Sequence, residues 1–119
     1  MKLFITLMLC ITTAYATTER EYQTQYCTGK IEVVLPDKTR IDCETSDYAI
    51  EYDFSKKWAE GTGQSLHYGR MTGKTPGLVL ITETEKDCKH VKIAADNIKH
   101  YWLPIRLQTV GPYQCAGFE

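Results

Sequence analysis

The sequence predicts a mixed α/β domain, with a four- to five-stranded sheet, flanking helices and disulfide bonds. Residues 30–54 contain three segments of alternating apolar residues separated by polar turns, which is typical of an antiparallel meander. The later run 77–82, GLVLIT, is apolar throughout, which indicates a strand covered on both faces. A helical segment lies between the third and fourth strands, and a right-handed crossover of this kind makes the fourth strand parallel to a neighbour.

The N-terminus has the pattern of a secretory signal peptide. Lys2 supplies a positive charge, residues 3–11 form a short apolar segment, and Ala14–Ala16 (AYA) has the small residues of a cleavage motif. No segment of the chain approaches the roughly 18 to 20 apolar residues that a membrane-spanning helix needs. We therefore predict a signal peptide over 1–16, a single domain over 17–119, and a periplasmic or secreted protein without a membrane span.

The net charge of the chain does not indicate a particular class of binding partner. The chain has 14 basic and 15 acidic residues, and because Lys2 belongs to the predicted signal peptide, residues 17–119 have a net charge of −2. A domain of this size forms one modest core. Its slight negative charge provides no overall attraction for nucleic acid.

Four cysteines remain in the predicted mature chain: Cys27, Cys43, Cys88 and Cys115. An even number of cysteines in an exported domain indicates two disulfide bonds. A zinc site is the alternative, but the sequence has no C-x-x-C pair and its three histidines lack ligand spacing. Of the three possible connectivities we favour Cys27–Cys43 with Cys88–Cys115, because each bond would join neighbouring elements. The other two connectivities remain open.

The first helix is predicted from its capping residues. Thr18 is followed three residues later by Glu21, which is the capping-box pattern. We expect this helix to end near Tyr26, because Gly29 follows and glycine favours the end of a helix.

Three strands follow the first helix. Segments 30–35 and 40–43 are joined by the turn sequence PDKT, so we expect them to form a hairpin. The third strand covers 48–54, after a polar break. Together the three segments form the predicted meander.

The second helix is expected to run from Ser55 to about Met71, and Gly73 closes it. Gly61 and Gly63 lie inside this segment, and each weakens a helix by roughly 1 kcal/mol relative to alanine. Their presence indicates close packing or a specific purpose there.

A third helix and a final strand complete the order. The helix is expected over about 87–101, because Pro104 stands just beyond its end, and the strand covers 105–110. The predicted order is therefore one helix, three strands, then two helix–strand pairs.

Three carboxylates mark a candidate site near the ends of the second and third strands. Asp42 belongs to the second strand, while Glu51 and Asp53 are two residues apart on the third and so share a face. Side chains on paired strands lie about 5 Å apart, so these carboxylates can converge. Converging carboxylates either lose their charge or bind a hard cation through oxygen. The alternative is that each is a solvated strand-end residue, with Asp53 capping the next helix.

The second helix places further polar groups beside these carboxylates. Lys57 and Gln64 are seven residues apart, hence on nearly the same side of a helix, and Tyr68 follows one turn later. One face therefore presents a cation, an amide and a phenol. The structural alternative is a surface lysine, a solvated glutamine and a partly buried tyrosine.

The chain resembles a small member of the PD-(D/E)XK nuclease superfamily, whose core is the restriction-endonuclease-like fold. That core is similar to the predicted order of elements, and the family motif is an aspartate, a variable gap, then Glu-x-Lys. The matching residues are Asp42, eight intervening residues, and Glu51-Tyr52-Asp53. Some branches carry a glutamine and a tyrosine on the following helix, which resemble Gln64 and Tyr68.

The resemblance implies a metal-dependent nuclease. Mg²⁺ or Mn²⁺ would be held by Asp42, Glu51 and the carbonyl of Tyr52. Many members also use a glutamate from the first helix, for which Glu19 and Glu21 are both candidates. The catalytic residues that the resemblance implies are Asp42, Glu51, Asp53, Lys57 and Gln64.

Two features depart from the family pattern. The literal Pro36-Asp37 lies in the predicted hairpin turn, so we take Asp42 as the motif aspartate. Asp53 stands where the motif lysine belongs, and Lys57, one helical turn into the next element, is the expected substitute. Arg70 and Lys74, in the segment GRMTGK, are candidates for phosphate contacts.

Two classes of function follow from the sequence. The first is an exported nuclease-like protein that hydrolyses phosphodiester bonds in nucleic acid with the help of a metal ion. The second is a non-catalytic exported protein that keeps the nuclease fold and binds a protein or nucleic acid. A shared fold does not decide between them.

Overall fold

The computed structural model describes residues 2–6 and 16–118. Its elements follow the predicted order: α1 (Glu19–Tyr26), β1 (Lys30–Val34), β2 (Arg40–Glu44), β3 (Tyr48–Phe54), α2 (Trp58–Thr72), β4 (Thr75–Ile81), α3 (Cys88–His100) and β5 (Arg106–Val110). Most of the predicted signal peptide, residues 7–15, lies outside the described residues, so the signal peptide stays a prediction.

The sheet has five strands, arranged in the order in which they occur in the chain. The strands β1, β2 and β3 pair antiparallel, whereas β3, β4 and β5 pair parallel. The predicted mixed α/β class and the parallel fourth strand are therefore confirmed. The α2 and α3 helices supply the two crossovers that parallel pairing requires.

The two faces of the sheet have separate cores. On one face, α2 and α3 cover a core that includes Leu78, Leu80 and Val91. On the other face, Tyr52 and Val79 pack near the end of α1. We call these the α2 face and the α1 face. Because residues alternate along β3, Glu51 and Asp53 belong to the α2 face.

The start of α2 differs from the sequence prediction. A short 3₁₀ turn covers Ser55–Lys57, and α2 begins at Trp58 rather than at Ser55. The Ser55 hydroxyl is fully buried and donates a 2.6 Å hydrogen bond to Asp87 at the start of α3. This bond holds the chain in a tight turn as it leaves β3, so the regular helix starts later.

Both predicted disulfide bonds are present. Cys27–Cys43 joins the end of α1 to β2, and Cys88–Cys115 joins the start of α3 to the C-terminal segment. The favoured connectivity is therefore confirmed. Within 2–6 and 16–118, no helix is long and apolar enough to cross a membrane.

Candidate functional site

The hairpin of β1 and β2 is irregular at Asp42. Ile41 packs into the core of the α2 face, whereas Cys43, two residues later, packs on the α1 face. Residues two apart on a regular strand share a face, so the alternation is interrupted between them. Glu32, which lies opposite Asp42 in the register, has a φ of 56°, a strained conformation for a non-glycine residue. Backbone strain of this kind often accompanies a functional site.

The interruption turns the Asp42 side chain towards β3. In the regular part of the β2–β3 ladder, Cys43 pairs with Ile50 and Glu44 pairs with Ala49. Just beyond these pairs, the Asp42 carboxylate accepts a 2.8 Å hydrogen bond from the backbone N–H of Tyr52. Beyond the last regular pair, the Asp42 carboxylate therefore replaces a backbone carbonyl as the acceptor for the N–H of Tyr52.

Glu51 and Asp53 are buried carboxylates on the α2 face. Each side chain is only 4% exposed. With both groups ionised, Glu51 Oε2 and Asp53 Oδ2 have no hydrogen-bond donor among the described residues. A buried polar atom without a partner normally costs free energy, so such atoms need an explanation.

Gly61 explains how Asp53 fits beneath α2. A Cβ atom at Gly61 would lie 2.5 Å from Asp53 Oδ2 and 2.8 Å from a methyl carbon of Leu78. Only a residue without a side chain lets the helix approach the carboxylate this closely. The close packing that the sequence indicated for Gly61 is therefore present, whereas a Cβ at Gly63 would meet nothing within 4 Å.

Burial is the largest cause that raises the pKa values of all three carboxyl groups. Burial, followed by the charge of Asp42 and a hydrogen bond to it, raises the pKa of Glu51 to about 11. Burial, followed by the charge of Glu19, raises the pKa of Asp53 to about 7. Burial also raises the pKa of Asp42, although the Tyr52 N–H opposes this shift. The direction of these shifts favours the protonated form of Glu51, whose single O–H can donate to one neighbouring carboxylate.

A glutamate from α1 reaches the same region. Glu19 Oε1 accepts from the backbone N–H of Phe54 at 3.4 Å and from Lys57 Nζ at 3.3 Å. The other candidate, Glu21, instead accepts from the Thr18 hydroxyl, which itself accepts from the Glu21 backbone N–H. Glu19 is therefore the α1 glutamate beside the carboxylates.

Lys57 lies at the mouth of the site. The hydrogen bond and charge of Glu19 raise the pKa of Lys57, and the charge of Asp53 contributes to the same shift. The ammonium group is thus close to the carboxylates and firmly protonated. Its hydrogen bond to Glu19 holds it there in the absence of a ligand.

The α2 helix adds an amide and a phenol. Tyr68 is buried, and burial followed by the charge of Glu51 raises its pKa. Gln64 is half-buried and lies three residues after Gly61 and four before Tyr68. Residues with these spacings share one helix face, so Gln64 lies on the face that covers the carboxylates.

Asp37 belongs to a different part of the molecule. It lies in the turn between β1 and β2, where its carboxylate accepts from Thr39 and contacts His67 Nε2 at 2.7 Å. The hydrogen bonds from Thr39 lower its pKa to about 2. The sequence interpretation of Pro36-Asp37 as a turn agrees with this position.

Arg70 and Lys74, the candidates for phosphate contacts, interact with other groups of the protein. Lys74 Nζ donates to the carbonyl oxygen of Thr45 at 2.7 Å and lies 3.5 Å from a Glu44 oxygen. Arg70 lies 3.3 Å from a ring nitrogen of His67. Neither residue contacts the carboxylates, so contact with phosphate stays a prediction for both.

The carboxylates form a row with Glu51 in the middle, close enough to Asp42 and Asp53 that both neighbours raise its pKa. As these side chains stand, the described ranges 2–6 and 16–118 contain no group of three or more His, Cys, Asp or Glu residues with the geometry to hold a metal ion. The donor set nevertheless fits a hard cation, because it consists of carboxylate oxygens and two of these lack partners. Binding would require loss of a carboxyl proton and movement of a side chain.

A groove of about 720 Å³ is lined by Glu19, Phe54 and Lys57, and its lining residues do not include Asp42, Glu51 or Asp53. It lies between the start of α1, the end of β3 and the loop after β4. A ligand in the groove would therefore contact the Glu19–Lys57 pair. We call Glu19, Asp42, Glu51, Asp53 and Lys57 the carboxylate site.

No family model, curated protein or solved structure matches the chain. Sequence reasoning did not single out Glu32 or the pairing of Glu19 with Lys57. A positive φ inside a strand and a contact between residues 38 apart leave no local signal in the sequence.

Proposed function

We propose that this chain is an exported phosphodiester hydrolase that uses Mg²⁺ or Mn²⁺ to cleave nucleic acid. The observation that carries the proposal is the pair of buried carboxylates, Glu51 and Asp53, whose oxygens lack donors beside a third carboxylate, Asp42. Burying carboxylates without partners is unfavourable unless they are protonated or neutralised by a cation. A divalent cation would neutralise them and satisfy the free oxygens.

The residues that would hold the cation are Asp42, Glu51 and the carbonyl oxygen of Tyr52. When bound, the cation supplies a water of lowered pKa and neutralises charge on phosphate. Lys57 is placed to interact with a phosphate oxygen, because its ammonium group lies at the mouth of the groove. Gln64 lies on the helix face above the carboxylates, where its amide can orient the attacking water.

Substrate binding would also rearrange the Glu19–Lys57 pair. Lys57 Nζ is 3.3 Å from Glu19 Oε1, and the two side chains are only partly buried. A phosphate in the groove competes with Glu19 for the ammonium group. Lys57 would then stand in for the motif lysine that Asp53 replaces.

The fold supports the same proposal. The order of a helix, a three-strand meander, a crossover helix and a parallel strand is what the resemblance to the PD-(D/E)XK superfamily implies. Two disulfide bonds are consistent with an oxidising compartment. We therefore include a restriction-endonuclease-like core and a periplasmic or secreted location in the proposal.

A non-catalytic exported binding protein is the second candidate. The observation that favours it is the replacement of the motif lysine by Asp53, together with the engagement of Lys57 by Glu19. In that case the buried carboxyl groups would remain protonated and the site would have only a structural role. A protein or nucleic acid partner would then bind elsewhere on the surface.

Cation binding is the first test. Mg²⁺ or Mn²⁺ should raise the melting temperature of the chain, because a ligand that binds only the folded state stabilises it. The shift should disappear in Asp42→Asn and Glu51→Gln, which keep side-chain shape but remove charge. Asp37→Asn is the matched control, since Asp37 lies in the hairpin turn. If neither cation changes the melting temperature, the proposed cation site is wrong.

Cleavage separates the two candidates. The hydrolase proposal requires cation-dependent cleavage of nucleic acid that a chelator and Glu51→Gln both abolish. Lys57→Ala should remove most of the activity, whereas Lys56→Ala should have a smaller effect, because Lys56 lines the same groove but lies about 120° from Lys57 around the 3₁₀ turn. Cation binding without cleavage of any single- or double-stranded nucleic acid would favour the binding protein.

A further inference from the structure

The C-terminal end of α3 has an unusual residue at its capping position. Leu103 N–H donates to the carbonyl of Ile98 at 2.9 Å, and Trp102 N–H donates to that of Lys99 at 3.3 Å. This pair of hydrogen bonds is the Schellman motif, in which the residue after the helix adopts a left-handed conformation. That residue is Trp102, with a φ of 52°.

The end of α2 shows what this position normally requires. There the left-handed residue is Gly73, with a φ of 69°, and glycine adopts such a φ without steric strain. Trp102 has a bulky side chain and is strained in the same conformation. It is also 91% exposed, so burial of the indole does not offset the strain. The fold therefore gains no stability from tryptophan here.

The surroundings of Trp102 are aromatic and basic. Tyr101 is 66% exposed and adjoins Trp102. An open groove of about 470 Å³ is lined by Ile98, Lys99, Trp102 and Leu103, so an apolar floor lies beside an ammonium group. Such a groove accepts a flat ring against the indole while placing an attached anion near Lys99.

The exposed face of α3 continues this positive charge. Its exposed side chains are Lys89, Lys92, Ile93, Asp96, Lys99 and His100. Asp96 pairs with Lys92 at 2.7 Å, and Lys89 and Lys99 leave a net positive face. The charge on this face is opposite to that of the carboxylate site.

We infer that the end of α3 binds single-stranded nucleic acid, with an unpaired base stacked on Trp102 and its phosphate near Lys99. Stacking platforms combined with basic side chains are the usual means of binding single strands. The positive face complements a polyanion, whereas lysine is depleted at protein–protein interfaces. This inference does not depend on the proposed hydrolysis.

Binding is tested in chelator, so that the result does not depend on a cation or on cleavage. A fluorescently labelled oligothymidylate of about 15 nucleotides is titrated with the chain, and its anisotropy is followed. We expect binding that weakens as salt rises, and that falls at least about fivefold in Trp102→Gly. Lys99→Gln should weaken binding more than Lys30→Gln, a matched exposed lysine on β1.

The Trp102→Gly variant also separates binding from stability. Glycine relieves the strained φ, so we expect this variant to melt at a higher temperature while binding more weakly. A lower melting temperature would show that Trp102 is structural. Unchanged affinity, absent binding, or a preference for duplex DNA or for vesicles of phosphatidylglycerol would each overturn the inference. Failure of cleavage alone would leave it standing.

Discussion

At the carboxylate site and at the end of α3, side chains lie in environments that do not suit their polarity, and the mismatch is opposite in the two regions. Glu51 and Asp53 are acidic groups in a buried environment, whereas Trp102 is an apolar group in an exposed one. Each lies beside a strained backbone, at Glu32 and at Trp102 respectively. The two regions lie towards opposite ends of α3, a helix of 13 residues and thus about 20 Å long.

The comparison teaches how a small domain distributes unfavourable features. Conflicts between local chemistry and the fold tend to mark functional positions, because selection for stability alone would remove them. At the carboxylate site, protonation or the proposed cation would relieve the conflict. At the end of α3, the single-stranded nucleic acid that we infer there would relieve it by covering the indole. The following predictions test this difference.

The largest effect expected is a loss of stability with rising pH in the absence of cations. The pKa values of Glu51 and Asp53 are raised in the folded state, to about 11 and about 7, so the folded chain retains protons that the unfolded chain loses. The stabilisation is complete below about pH 4 and declines as pH rises, by up to about 1.4 kcal/mol per pH unit for each group. The Asp53 contribution is lost by about pH 7, while that of Glu51 continues to decline.

Chemical denaturation in chelator from acidic to alkaline pH measures this slope. Glu51→Gln should flatten it, because the amide cannot ionise. Asp96→Asn is the control, since Asp96 lies on the exposed face of α3. A free energy of unfolding that rises through neutral pH would contradict the burial argument.

The two disulfide bonds should differ in what their loss affects. Removing either by paired cysteine-to-alanine substitutions should cost about 3 kcal/mol, judged by urea denaturation. Cys27–Cys43 joins α1, which carries Glu19, to the strand that carries Asp42. Its loss should therefore also weaken the response to Mn²⁺, whereas loss of Cys88–Cys115 should not. An equal weakening in both variants would show that the first bond does not specifically position the carboxylates.

Two glycines of α2 provide the smallest and most closely matched comparison. Gly61→Ala would place a Cβ 2.5 Å from Asp53 Oδ2, so we expect a loss of about 1–3 kcal/mol. Gly63→Ala meets no atom within 4 Å and should gain up to about 1 kcal/mol from helix propensity. Thermal melts of both variants measure these changes. A stabilising Gly61→Ala would mean that the helix does not pack tightly on the carboxylate.

Much of the fold could be predicted because its signals are local. Capping residues, the PDKT turn and the apolar run of β4 each lie within a few neighbouring residues, and the order they predicted is the order observed. The cysteine pairing followed from the proximity of consecutive elements. Gly61 and Gly63 looked alike in the sequence, and only the packing distinguishes them.

The carboxylate site was predictable only in outline. The alternation of β3 places Glu51 and Asp53 on one face, but it does not reveal that the hairpin is interrupted at Asp42. The choice between Glu19 and Glu21 depends on how α1 meets the end of β3. Trp102 gave no signal as a binding residue, because its exposure depends on how the chain turns after α3.

The order of the strands has a consequence for how the chain folds. Every strand pairs with those before and after it in sequence, so no strand has to insert between two that are already paired. The disulfides close segments with separations of only 16 and 27 residues. Short separations keep the entropy of closing each disulfide-bonded segment small. Cysteines that are near in sequence meet early, and here these are the native partners. The native disulfide bonds can therefore form during folding, without a stage in which mispaired bonds rearrange.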